Sequence, residues 1–96
     1  MNKENDMEKR SFKTGDIVRH FKRETVEDGS DRYLYMIVGT ATNSETGEEM
    51  MVYSPLYGEG GLFVRPLDMF LSEVDHDKYP SIRQKYRFEL VEEAEE

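Results

Sequence analysis

The chain has 96 residues, room for one domain, and its 13 basic against 21 acidic side chains leave a formal charge of −8. It has no Cys, which excludes disulfides, thiolate nucleophiles and cysteine metal sites. There is neither an apolar run of ~18–20 residues, as a membrane span needs, nor a signal-type apolar stretch in residues 1–11, so a soluble, cytoplasmic domain with no membrane partner is the expectation.

Hydrophobic residues make up only 36% of the chain, so the case for a core rests on six Tyr and five Phe, all between Phe12 and Phe88. Residues 92–96 carry four Glu, residues 1–11 are neutral, and residues 12–91 hold 10 basic and 14 acidic groups, net −4. Residues 1–11 and 92–96 read as disordered tails flanking a domain at 12–91. The mild acidity of that domain counts against nucleic acid, whose nonspecific binding rests on Lys and Arg neutralising phosphates.

In chain order, Gly15-Asp16 is a turn signal. Ile17–Lys22 reads as a strand with Val18, His20 and Lys22 on one face and Ile17, Arg19 and Phe21 on the other. Arg23–Asp31 reads as an exposed loop. Arg32–Thr42 is the most β-prone stretch, with Gly39 marking a bend or bulge. Ser44-Glu45-Thr46-Gly47 predicts a hairpin turn with Gly47 at positive φ, and Met51–Ser54 is the return strand, ended by Pro55. The glycine-rich Leu56–Gly61 is a loop and Leu62–Pro66 a short strand. Leu67–Leu71 allows one helical turn with Leu67, Phe70 and Leu71 inward. A further turn is expected within Asp77–Lys85, and the alternating Tyr86–Val91 is the last strand. Five short strands with one or two helical turns make an all-β fold, most economically closed as a small SH3-like barrel.

Several strings occur together: Arg19-His20-Phe21-Lys22, Ser44-Glu45-Thr46-Gly47-Glu48-Glu49, Val52-Tyr53, Leu56-Tyr57-Gly58, and Val64-Arg65-Pro66-Leu67 with Met69-Phe70. In this order they resemble a family of small bacterial proteins classed as a domain of unknown function, over Gly15 to Val74. The resemblance implies an SH3-like barrel and brings no activity, substrate or partner. The chain departs from the family pattern at Asn43, where His is common, at Phe63, where Trp is common, at Ser54, where a basic residue is usual, and in the longer loop after Lys22.

Four sets of residues are candidates for chemistry. His20, Lys22, Tyr53 and Arg65 could meet on one surface of the sheet, where His, Lys and Arg beside aromatic rings suit an anionic or planar ligand. The competing reading pairs Arg65 with Glu45, Glu48 or Glu49. Asp75-His76-Asp77 resembles a metal triplet, but adjacent residues do not readily face one ion, so a solvated loop is expected. Ser44-Glu45-Thr46 lacks a neighbouring His and is explained by the turn. The glycines of Tyr57–Gly61 would let a ligand approach the backbone.

No paired carboxylates, Ser-His-Asp order or metal cluster points to an enzyme. The reading is a binding module, without cofactor or metal, for a peptide or protein segment or a small anion. Its groove would draw on His20, Lys22, Tyr53, Tyr57, Phe63 and Arg65, with Tyr33 alongside; a nucleic-acid-associated barrel is the alternative.

Overall fold

The computed structural model describes residues 11–26, 29 and 31–95. It is mostly β: β1 (Ile17–His20), β2 (Leu34–Thr42), β3 (Glu49–Pro55), β4 (Phe63–Pro66) and β5 (Phe88–Glu92), with a 3₁₀ turn at Phe21–Thr25 and one short helix, α1 (Leu67–Phe70). The strands form a single five-stranded antiparallel sheet in the order β4-β3-β2-β1-β5. Strand number and the presence of short helical turns agree with the sequence reading, with the helix in its expected place and the 3₁₀ turn where a strand end and a loop were expected. Among the described residues, no helix is long and apolar enough to cross a membrane.

The alternation in β2 buries Tyr35 and Ile37 and leaves Met36 and Val38 outward. A register shift between Ile37 and Gly39 makes Val38 an extra residue, which places a bulge at the expected bend. The hairpin turn is closed by Gly47 N–H to the Asn43 carbonyl at 2.7 Å, with Gly47 at φ 78°. A residue with Cβ is strained there. Asn43 Oδ1 accepts the N–H groups of Glu45 and Thr46, so Asn serves here as a turn-forming side chain.

β1 is shorter than its sequence pattern. His20 Nδ1 accepts the backbone N–H of Lys22 at 3.1 Å, and the chain leaves the ladder for the 3₁₀ turn. Val18 and His20 stay on the core face, but Lys22 departs from it. Phe21, expected on the strand face of Ile17 and Arg19, lies in the 3₁₀ turn and is buried in a second cluster with Val74 and Ile82. This turn also shortens the predicted Arg23–Asp31 loop; Glu27, Asp28 and Ser30 of that loop lie outside the described residues.

The main core is Val18, Tyr35, Ile37, Met51, Tyr53, Phe70 and Phe88. β4 and β5 are the two edges of the sheet, and side chains bridge them where no ladder does. α1 follows β4 directly and lays Phe70 on Phe88, with ring centroids 3.9 Å apart and planes 7° from parallel. Burying a Phe side chain contributes about 1.5–3 kcal/mol, and the ring pair adds about 0.5–1.5 kcal/mol. The long connection from Leu71 to Arg87 is tied to the 3₁₀ turn through the Glu24 carboxylate, which accepts the N–H groups of Arg83 and Gln84.

At the carboxyl end β5 continues to Glu92, and the Ala94 N–H donates to Asp16 Oδ1 at 2.8 Å. The folded unit thus reaches past the boundary expected at residue 91. Gly15 faces this segment closely: a Cβ there would lie 3.0 Å from that of Ala94. Of the expected amino-terminal tail, residues 1–10 lie outside the described residues, as does Glu96.

Candidate functional site

A cavity of about 230 Å³ opens beside the seam between the sheet edges, lined by His20, Phe21, Lys22, Arg65, Asp75, Lys78, Tyr79 and Arg87. Its residues come from the end of β1, the 3₁₀ turn, β4, the long connection and the entry to β5. Three of the six expected ligand-binding residues, His20, Lys22 and Arg65, meet here.

His20 is 8% exposed, with its ring 4.4 Å from that of Phe21 and edge-on to Phe88 at 5.0 Å. Burial, then the charges of Arg65, Lys22 and Arg87, push its pKa down from 6.5 to about 4. The ring is neutral at pH 7. Because Nδ1 accepts the Lys22 N–H, the ring proton is assigned to Nε2, which makes His20 an uncharged donor.

Arg65 donates through Nε to the Tyr53 hydroxyl at 2.8 Å, and its guanidinium carbon lies 5.7 Å from the centroid of the Phe88 ring. The expected pairing with Glu45, Glu48 or Glu49 is not found. The ion pairs among the described residues join Lys13 to Asp16 and Glu93, and Arg19 to Glu89. Arg65 lies opposite Met51 in the ladder and its guanidinium turns across the core face to Tyr53 and Phe88, while Glu49 takes the hydroxyl of Thr42.

The remaining three expected residues are placed differently. Tyr53 is 3% exposed and sits beneath the cavity, holding Arg65 rather than facing a ligand. Tyr57 and Phe63 lie off the cavity lining, against the Tyr35 side of the core: the Tyr57 hydroxyl is 2.8 Å from that of Tyr35, and the Phe63 ring centroid is 6.2 Å from the Tyr35 ring centroid. Tyr33 bridges the two regions, 5.9 Å from His20 and 6.4 Å from Tyr57, ring to ring. It is the one described non-glycine residue at positive φ, 70°.

Sequence reading missed Lys78, Tyr79 and Arg87. The run Lys78, Arg83, Lys85, Arg87 is the densest basic stretch in the second half of the chain and was the available signal. Their meeting with His20 depends on the β1–β5 pairing, which sets His20 opposite Phe88, next to Arg87. The Arg87 Nε is buried and meets no hydrogen-bond partner. Such a group costs about 1–3 kcal/mol or more when unsatisfied, so its retention calls for an explanation.

The cavity gathers four cations, Lys22, Arg65, Lys78 and Arg87, against one carboxylate, Asp75, so 4 − 1 = +3 in a chain of net charge −8. Asp75 Oδ1 accepts the N–H groups of Asp77 and Lys78. Among the described residues none of the four cations is in an ion pair. Lys22 and Lys78 lie 6.0 and 5.6 Å from the centre of the Tyr79 ring.

The other sequence candidates do different work. His76 Nε2 is 3.1 Å from the Gln84 carbonyl and Asp75 Oδ1 takes two backbone N–H groups of its own loop, so these two side chains serve the loop. Ser44-Glu45-Thr46 forms the hairpin turn. The glycine-rich loop is fastened by the Ser54 hydroxyl, which donates to the Gly61 carbonyl at 2.7 Å.

A family model described as a protein of unknown function, DUF1653, matches residues 16–90, a span that includes every cavity residue. No curated protein and no solved structure matches the chain.

Proposed function

Because the chain belongs to the DUF1653 family of proteins of unknown function, we propose its role from the site itself: a non-catalytic binding module, on an SH3-like sheet, for a small anion, free or carried on a peptide. The observation that carries this is the unpaired positive charge of the cavity. Cations held together without counter-charge repel one another, and an anion relieves that repulsion. Arg65 is held in place by Tyr53 and Phe88, so little side-chain freedom is lost when it binds.

Melting the full chain in rising phosphate, with chloride keeping ionic strength constant, tests this reading. A ligand at 100 times its Kd stabilises by about 2.7 kcal/mol. At roughly 4–8 °C per kcal/mol in a domain of this size, that is a rise of ten degrees or more. Arg65→Ala should abolish the rise and Lys13→Ala, outside the cavity, should keep it. An equal rise in both variants would remove the site from consideration. A single-stranded oligonucleotide in place of phosphate tests the nucleic-acid alternative, which requires affinity that falls steeply with salt.

A further inference from the structure

The arrangement of donors discriminates between kinds of anion. A carboxylate offers two oxygens in one plane and one charge, which a single guanidinium fork satisfies. Here the donors approach from separate segments: Lys22 from the 3₁₀ turn, Arg65 from β4, Lys78 from the long connection, Arg87 from the entry to β5, and His20 from the end of β1. Two of these segments, the 3₁₀ turn and the long connection, lie off the sheet that carries the others. A tetrahedral group with three terminal oxygens can accept from several directions at once. Charge points the same way. A site of +3 is poorly matched by a single negative charge and better matched by a phosphomonoester, which carries about −1.5 to −2 at pH 7.

Resting on the anion-binding reading above, we propose that the cavity takes the terminal phosphoryl group of a phosphomonoester, with Arg65 and Arg87 gripping it from the sheet edges, Lys22 and Lys78 closing over it, and the imidazole of His20 donating to one of its oxygens. Selectivity follows from this geometry. A diester has two terminal oxygens and one charge, and its second substituent would have to displace one of the lysines. A carboxylate leaves at least two of the cations without an acceptor.

The full chain is titrated calorimetrically with methyl phosphate, dimethyl phosphate and acetate at fixed ionic strength. Methyl phosphate should bind at least tenfold more tightly than either of the others. Lys22→Ala and Lys78→Ala, both at exposed positions that leave the core intact, should each weaken it about threefold or more, in line with the modest worth of an exposed charge contact. The His20 ring protons give a second readout by NMR. Burial and then the neighbouring cations hold the imidazole neutral, and a bound dianion offsets the cations, so the midpoint of the ring's titration should move up from its low value in the free protein.

Acetate binding as tightly as methyl phosphate would overturn the phosphoryl assignment while leaving anion binding in place. Dimethyl phosphate matching methyl phosphate would overturn the monoester. No heat and no shift with any of the three would overturn this proposal and the reading beneath it. Phosphoserine and adenosine 5′-monophosphate then distinguish carriers: with methyl phosphate bound selectively the proposal stands, and the tighter of the two esters identifies what bears the group.

Discussion

Asp16 offers the sharpest test of how this fold is fastened. Its side chain sits in the turn ahead of β1, in a residue only 4% exposed, and accepts two backbone N–H groups, from Lys13 at 2.9 Å and Ala94 at 2.8 Å. Burial alone would raise its pKa, but the two backbone bonds and the Lys13 charge outweigh it, and the value falls below the ordinary 3.8. Hydrogen bonds to a charged acceptor contribute about 1.5–3 kcal/mol each. In Asp16→Ala both donors lie near the surface and regain water, which reduces the loss to about 2–4 kcal/mol for the pair. The melting temperature should drop by about 8 °C or more. Deleting residues 93–96 removes the Ala94 donor together with the exposed Lys13–Glu93 pair, which contributes little, and should cost about half as much. The two changes share one bond, so together they should cost less than their sum. The lowered folded-state pKa means that the carboxylate's contribution is whole above about pH 4, where the unfolded chain titrates, and is lost as pH falls through the folded value. Asp16→Ala should therefore flatten the acid limb of the stability profile. Denaturant midpoints unchanged by either alteration, or strictly additive costs, would refute the account of a docked carboxyl end.

At Gly47 the space around a new Cβ is open, so only backbone strain acts: Gly47→Val should cost about 1–2 kcal/mol and Gly47→Asn less, and equal costs in denaturant unfolding would contradict the turn. Arg65→Ala leaves no carboxylate stranded, so its cost should stay near 1 kcal/mol while the response to phosphate vanishes; a loss of several kcal/mol would restore a structural ion pair. His20 has a folded pKa of about 4 against 6.5 unfolded, so the unfolded chain binds the extra proton between these values. Stability is full above about pH 6.5 and falls as pH drops toward 4, by up to about 3 kcal/mol at 1.36 kcal/mol per unit. His20→Gln should remove that slope in urea unfolding measured across the range.

The strands were legible because their signals are local: alternation at Tyr35 and Ile37, the glycine of the Asn43–Glu48 turn, the break at Pro55. The bulge at Gly39 was legible for the same reason. The end of β1 was not, because it depends on one side chain, the His20 imidazole, competing for the N–H of Lys22. Three of the eight residues of the candidate site, His20, Lys22 and Arg65, could be read as polar residues flanked by aromatics. Arg87 and Lys78 stand out as basic residues, but their place at the site could not be read, since nothing local says which side of β1 the last strand joins. Tyr53 and Phe63 misled for a related reason: a ring that looks available for stacking on sequence grounds is equally suited to a core, and in a chain short of aliphatic residues the core took Tyr53.

The pairing of Val18 with Leu90 joins positions near opposite ends of the described chain. Closing so long a loop is entropically costly, and folds dominated by such contacts form slowly. The meander from β2 to β4 is built from neighbours in sequence and can form without β5. The cavity cannot, because Arg87 reaches His20 and Lys22 only once β5 has joined β1. An occupant therefore engages contacts formed late, after most of the sheet is in place, and its effect falls on the rate of unfolding rather than on the rate of folding. For this chain a bound anion would act as a clasp on the finished molecule, lengthening its lifetime while leaving the route to it unchanged.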